Sequence, residues 1–93
     1  MKILFISDCI EYELGWGNRP DGFMISESKE AMLAHIEVSN KMGSYEYFWR
    51  YDSPSEITCD DETYEKIKNR MTEKGIAFFN DREKESLNLY RKI

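Results

Sequence analysis

Gly15-Trp16-Gly17-Asn18-Arg19-Pro20-Asp21-Gly22 separates two runs that read as strands, and the fold is worked out from it. Pro20 fixes its own φ and drives Arg19 towards an extended backbone, so Arg19-Pro20-Asp21-Gly22 fits a β-turn with Pro second and Gly fourth. Trp16 lies between two residues without side chains, so the chain can bend on either side of the indole and another group can approach it closely. The stretch is predicted to connect the arms of a long hairpin. Its chemistry suggests more than a connection. A guanidinium fork beside a π-face suits a phosphate with a stacked base, which makes Trp16, Gly17, Asn18, Arg19, Asp21 and Gly22 the candidate ligand site. The structural alternative has Trp16 folded down on the core and Arg19 paired with Asp21 or a neighbouring Glu. The spacing is not GxGxxG, and no Gly-Lys-Ser/Thr follows as in a P-loop.

Before the loop, Lys2 to Asp8 is apolar on both sides (Ile3, Leu4, Phe5, Ile6), the pattern of a central strand covered on both faces. It is predicted to continue or bend through Cys9–Leu14, and Phe23-Met24-Ile25 returns as the second arm. Ser26 is placed as the cap of a helix over about 27–42, with Ala31, Ala34, Val38 and Met42 as its buried stripe and Leu33 and Ile36 widening it. His35 falls in that stripe and is expected to be half-buried, with one nitrogen satisfied.

Period-two alternation in Tyr45-Glu46-Tyr47-Phe48-Trp49-Arg50-Tyr51-Asp52 puts Tyr45, Tyr47, Trp49 and Tyr51 on one face of a strand. The row serves either as core beneath a helix or as a stacking platform. Arg50 joins the candidate ligand site if the hairpin loop folds over the sheet and brings it towards Arg19. Ser55–Cys59 reads as a short edge strand. Asp60 caps a second helix to about Lys74, packed through Tyr64, Ile67 and Met71. Ile76–Phe79 is a buried strand, Asn80 to Glu83 has capping-box spacing, and a last helix is expected over 81–92. The sum is a single α+β domain, residues 1–93, in the order ββαβ(β)αβα with a mixed or antiparallel sheet.

Thirteen basic against eighteen acidic residues give a net charge of −5. That argues against general affinity for nucleic acid or anionic membrane and favours a basic partner or simple solubility. No apolar run approaches a membrane span, and the start is too short for a secretory signal, so a cytoplasmic location is expected. Cys9 and Cys59 stand alone, without metal-ligand spacing, and read as reduced buried thiols; no cofactor or metal is expected. GxSxG and HExxH are absent, so the expectation is a non-enzymatic protein.

Two functions stay open. One is a binder of a small anionic, nucleotide-like ligand at Gly15–Gly22, with Trp16 stacking, Arg19 and Arg50 holding the charge, and Asn18 and Asp21 reading polar edges. The other is an acidic inhibitor or nucleic-acid mimic that offers Glu11, Glu13, Asp60, Asp61, Glu62 and Glu65 to a basic groove on a partner protein. A homo-oligomer paired through the aromatic strand is a third possibility. In size, acidity and lack of catalytic motifs, the chain resembles small phage-encoded proteins that blunt host defence. That resemblance implies a non-enzymatic binder and transfers no functional residue.

Overall fold

β1 (Lys2–Glu13) is the axis of the molecule, because strands pair with it on both edges, over Phe5–Glu13 on one and over Lys2–Ile6 and Cys9–Glu13 on the other. The computed structural model describes residues 2–43 and 46–91. Tyr45, Lys92 and Ile93 therefore lie outside the described residues, as does Met1. On one edge β1 pairs antiparallel with β2 (Gly17–Ser26). On the other edge it pairs with β3 (Tyr47–Tyr51) along its distal half and with β4 (Ser55–Cys59) along its proximal half. β5 (Ile76–Phe79) adds to β2, and β6 (Leu89–Arg91) adds to β4. The chain is an α+β fold, a mostly antiparallel six-stranded sheet with helices on both faces.

Two interruptions meet at the middle of β1. On the β2 edge, Asp21 and Gly22 together face Cys9, a bulge between the pairs Asp8↔Phe23 and Ile10↔Pro20. On the other edge, Asp52-Ser53-Pro54 separates β3 from β4, and the Ser7 hydroxyl donates to the Asp52 carbonyl to hold the break. The sheet is thus divided. Its proximal half is covered on both faces, and its distal half projects as a three-stranded arm of β2, β1 and β3. The principal extents, 42 × 26 × 25 Å, reflect this projection.

The alternation of β1 and β2 sorts the proximal side chains into two cores. Leu4, Ile6, Phe23, Ile25, Ile57, Ala77 and Phe79 face α2 (Asp61–Lys68), where Ile67 and Leu87 close over them with Tyr64 and Met71. Met24 and Ile76 face α1 (Lys29–Ser39) and meet Met32, with Phe5, Ile36 and Tyr51 packed around. Each such side chain contributes about 1.5–3 kcal/mol by leaving water.

Several expectations are corrected. Arg19–Gly22 is strand and bulge, and the reversal is made by Leu14-Gly15-Trp16. Pro20 is tolerated because β5 pairs only with Phe23–Ser26, which leaves the outer edge of β2 open at that position. The cap of α1 is Ser28, whose hydroxyl accepts from Ala31 N at 3.1 Å; Ser26 is buried and donates to the Gly75 carbonyl. The inward face of α1 is consequently Met32 and Ile36, while Leu33, Val38 and Met42 are exposed. β4 is interior between β1 and β6, not an edge. α2 ends at Lys68 although Asp60 caps it as expected. The capping box at Asn80 and Glu83 is present, but it opens a short 3-10 helix, Asp81–Ser86, after which Leu87 is buried and the chain extends into β6.

Candidate functional site

The arm's α1-side face is a small grid set by strand register. Its three rows are Asp21, Cys9 and Tyr51; Arg19, Glu11 and Trp49; and Gly17, Glu13 and Tyr47. The expected aromatic alternation therefore holds for Tyr47, Trp49 and Tyr51. Only Tyr51 packs with the α1 core, its ring T-shaped to that of His35 at 5.7 Å, while its backbone N–H donates to Asn40 Oδ1 at 3.0 Å. Trp49 and Tyr47 are half-buried and stack edge to face at 4.7 Å. His35 Nε2 lies 3.1 Å from the Ser39 hydroxyl, as expected of a half-buried histidine with one satisfied nitrogen, and burial lowers its pKa.

The loop residues come out divided. At the tip, Trp16 N donates to the Glu13 carbonyl at 3.0 Å and Leu14 N to the Glu46 carbonyl at 2.8 Å, so the turn is held by backbone bonds. Trp16 is 84% exposed, directed to solvent and not onto the core. Arg19, although exposed, is tied within the molecule: its Nε and Nη2 lie 2.9 and 2.7 Å from Glu11 Oε1, and Glu11 is only 6% exposed. A hollow of about 240 Å³ lies beside them, lined by Glu11, Glu13, Trp16, Gly17, Asn18 and Arg19.

Arg50 does not converge with Arg19. Arg19 and Trp49 both pair with Glu11, whereas Arg50 and Pro20 both pair with Ile10, so strand alternation puts the two arginines on opposite faces. On its own face the Arg50 guanidinium lies over Phe48 at 4.4 Å, and Phe48 stacks on Tyr12.

The acidic set is not one surface either. Glu13 is at the arm's tip, while Asp60 follows Cys59, the partner of Lys2 at the other end of β1. The strand's twelve residues separate them by roughly 36 Å at about 3.3 Å per residue. Glu11 is buried, and Asp60 is committed to capping Thr63 N at 2.8 Å, a bond that lowers its pKa. Asp61, Glu62 and Glu65 are exposed at the start of α2.

A second hollow, of about 370 Å³, lies where the arm meets the end of α1, lined by Cys9, Asp21, Ser39, Met42, Gly43, Trp49 and Tyr51. Sequence reasoning missed it because its walls come from β1, β2, β3 and the segment after α1. The one local signal was the shared face of Trp49 and Tyr51.

Electrostatics on this face favour neutral thiol and phenol. Burial, then the Asp21 carboxylate, pushes the Cys9 thiol up to about 11, against an opposing hydrogen bond from Tyr51. Burial, then Cys9, pushes Tyr51 up to about 12. Tyr47 is raised by burial and by its hydrogen bond to Glu11, and Arg19 by its hydrogen bond to the same carboxylate. Both cysteines are free and buried. Among the described residues no cluster of His, Cys, Asp and Glu has the geometry of a metal site, and no helix is long and apolar enough to cross a membrane.

These shifts predict alkaline lability. Cys9 holds its proton more tightly folded than unfolded, so its contribution is intact below pH 9 and is lost as pH rises towards 11. Tyr51 follows between 10 and 12, and Cys59, raised by burial, moves the same way. Urea unfolding at pH 8 and pH 11 should show the fall, and Cys9→Ala should remove roughly 2 kcal/mol of it. Native Cys9 should alkylate more slowly than the unfolded thiol, by about tenfold or more.

No family model matches this chain, and neither the curated proteins nor the solved structures contain a match.

Proposed function

We propose that this chain is a non-enzymatic binding protein that docks on a basic macromolecular partner through its three-stranded arm, with Trp16 as the anchor. The support is at the tip, where Leu14 and Trp16 remain 60% and 84% exposed on a hydrogen-bonded turn. Leaving two such side chains in water forgoes about 1.5–3 kcal/mol each, an expense that a partner's pocket recovers. Tryptophan is also among the residues enriched at interface hot spots. Beneath the tip, three carboxylates oppose one guanidinium on the grid, and the chain carries −5 overall, which favours a positively charged partner. The resemblance to phage counter-defence proteins supplies a role for such an arm, the blocking of a basic groove. Two buried free thiols suit a reducing, cytoplasmic setting.

Affinity capture from the native cellular background tests this. Wild-type protein should retain a partner that elutes as salt rises, and Trp16→Ala should lose it at an unchanged melting temperature. Retention by Trp16→Ala overturns the proposal.

The hollow beside Trp16 favours a second reading, a nucleotide-like small ligand held at Gly15–Gly22. Such an anion would have to take Arg19 from Glu11 in the presence of Glu13. Its signature is a nucleotide in the native mass spectrum that Arg19→Ala abolishes. That variant removes the cation from a buried carboxylate and leaves it the Tyr47 hydroxyl, so it should melt lower than wild type and Arg19→Ala/Glu11→Gln is the fair comparison.

A further inference from the structure

We infer that the cleft between the end of α1 and the arm seats a cationic side-chain head group, a guanidinium or an alkylammonium, presented by the partner protein. This rests on the arm being the contact surface and states where on it a positive charge is received. The cleft is lined by Trp49, Tyr51, Met42 and Cys9, whose thiol is neutral, and its volume of about 370 Å³ accommodates such a group. At its rim stands Asp21, exposed and making no hydrogen bond or ion pair among the described residues. The bulge at Asp21-Gly22 fixes this carboxylate opposite Cys9, and its charge is felt at Cys9, Tyr51 and Tyr47. A carboxylate beside two aromatic side chains in an apolar recess attracts a cation and repels an anion.

Five of the described cations lie over rings elsewhere, and Lys74 lines the adjoining hollow with Ser39 and Met42. Lys2 and Lys68 lie over Tyr64, Arg50 over Phe48, Arg70 over Phe79 and Lys84 over Phe23. Among the described residues none lies over Trp49 or Tyr51. Arg19, one row away, is tied to Glu11, and Lys41 beyond α1 is paired with Glu37.

N-acetylarginine amide, and the neutral isostere N-acetylcitrulline amide, are the probes for an NMR titration of the full chain. The arginine probe should move the Trp49 indole and Met42 methyl signals, and the citrulline probe should not. Asp21→Asn should weaken the arginine response about tenfold or more, as should Trp49→Leu, while Trp16→Ala leaves it unchanged. Equal response to citrulline, an unaltered Asp21→Asn titration, or no response at all overturns the inference. A seat that fails while partner capture still depends on Trp16 sinks this inference alone. A seat that holds while capture ignores Trp16 sinks the docking proposal instead.

Discussion

Gly22→Ala should destabilise the protein by about 3 kcal/mol or more, whereas Gly15→Ala and Gly17→Ala should each cost about 1 kcal/mol. All three glycines have positive φ, so each substitution strains the backbone. Gly15 and Gly17 have open space where a methyl group would go. At Gly22 the new Cβ would lie 2.4 Å from the carbonyl oxygen of Phe79, a backbone atom on β5. Relief requires β2 and β5 to separate beside the pair Phe23↔Phe79, two stacked rings in the larger core. The Gly22 N–H also donates to Asp81 Oδ1 at 3.1 Å, so the same movement loosens the start of the 3-10 helix. Urea unfolding of the three variants separates these cases. A Gly22→Ala loss no larger than that of Gly15→Ala would mean that the bulge is a local feature, independent of β5.

The same glycine shows why the sequence was legible in outline and not in detail. Pro20 and Gly22 carry the same local grammar for a turn as for a strand ending in a bulge. The contact of Gly22 with Phe79 and Asp81, about sixty residues away, decides between them. The continuous apolar run of the first strand read correctly, since β1 carries a core on each face from Leu4 onward, and so did the period-two pattern that puts Tyr47, Trp49 and Tyr51 on one face. Caps made by one side chain and a nearby amide, at Asp60 and Asn80, were also visible because every participant is local. β6 was not, since three residues become a strand only by pairing with β4.

At the candidate site, the exposure of Trp16 follows from its place at a tight turn. The commitment of Arg19 to Glu11 and its separation from Arg50 depend on a register that sequence alone does not supply. The stripe of Ala31, Ala34, Val38 and Met42 misled because alanine gives little weight to either face of a helix. The heavier pair Met32 and Ile36, four residues apart, turns inward once Ser28 sets the helix start.

Met32→Ala should cost about 2–4 kcal/mol and concentrate its effect on α1. Met32 is the one fully buried side chain of that helix, and with Met24 and Ile76 it forms the smaller core. What else fastens α1 is partial: Ile36 and His35 are half-buried, and Asn40 Oδ1 accepts from Tyr51 N. A cavity at Met32 therefore leaves the helix few alternative contacts, and hydrogen exchange should quicken from Met32 to Asn40 while α2 and the arm keep their protection. Leu4→Ala, on the opposite face, should instead lower protection throughout, because Leu4 belongs to the core shared by β1, β2, β4, β5 and α2. The function should divide along the same line. Ser39 and Met42 are walls of the cleft and move with α1, so Met32→Ala should weaken the arginine titration. Docking through Trp16 should persist, because the tip turn is held by backbone bonds to Glu13 and Glu46 on the arm itself. Exchange that rises equally over arm and helix would show that the two faces of the sheet unfold as one unit and that α1 has no separable role in shaping the cleft.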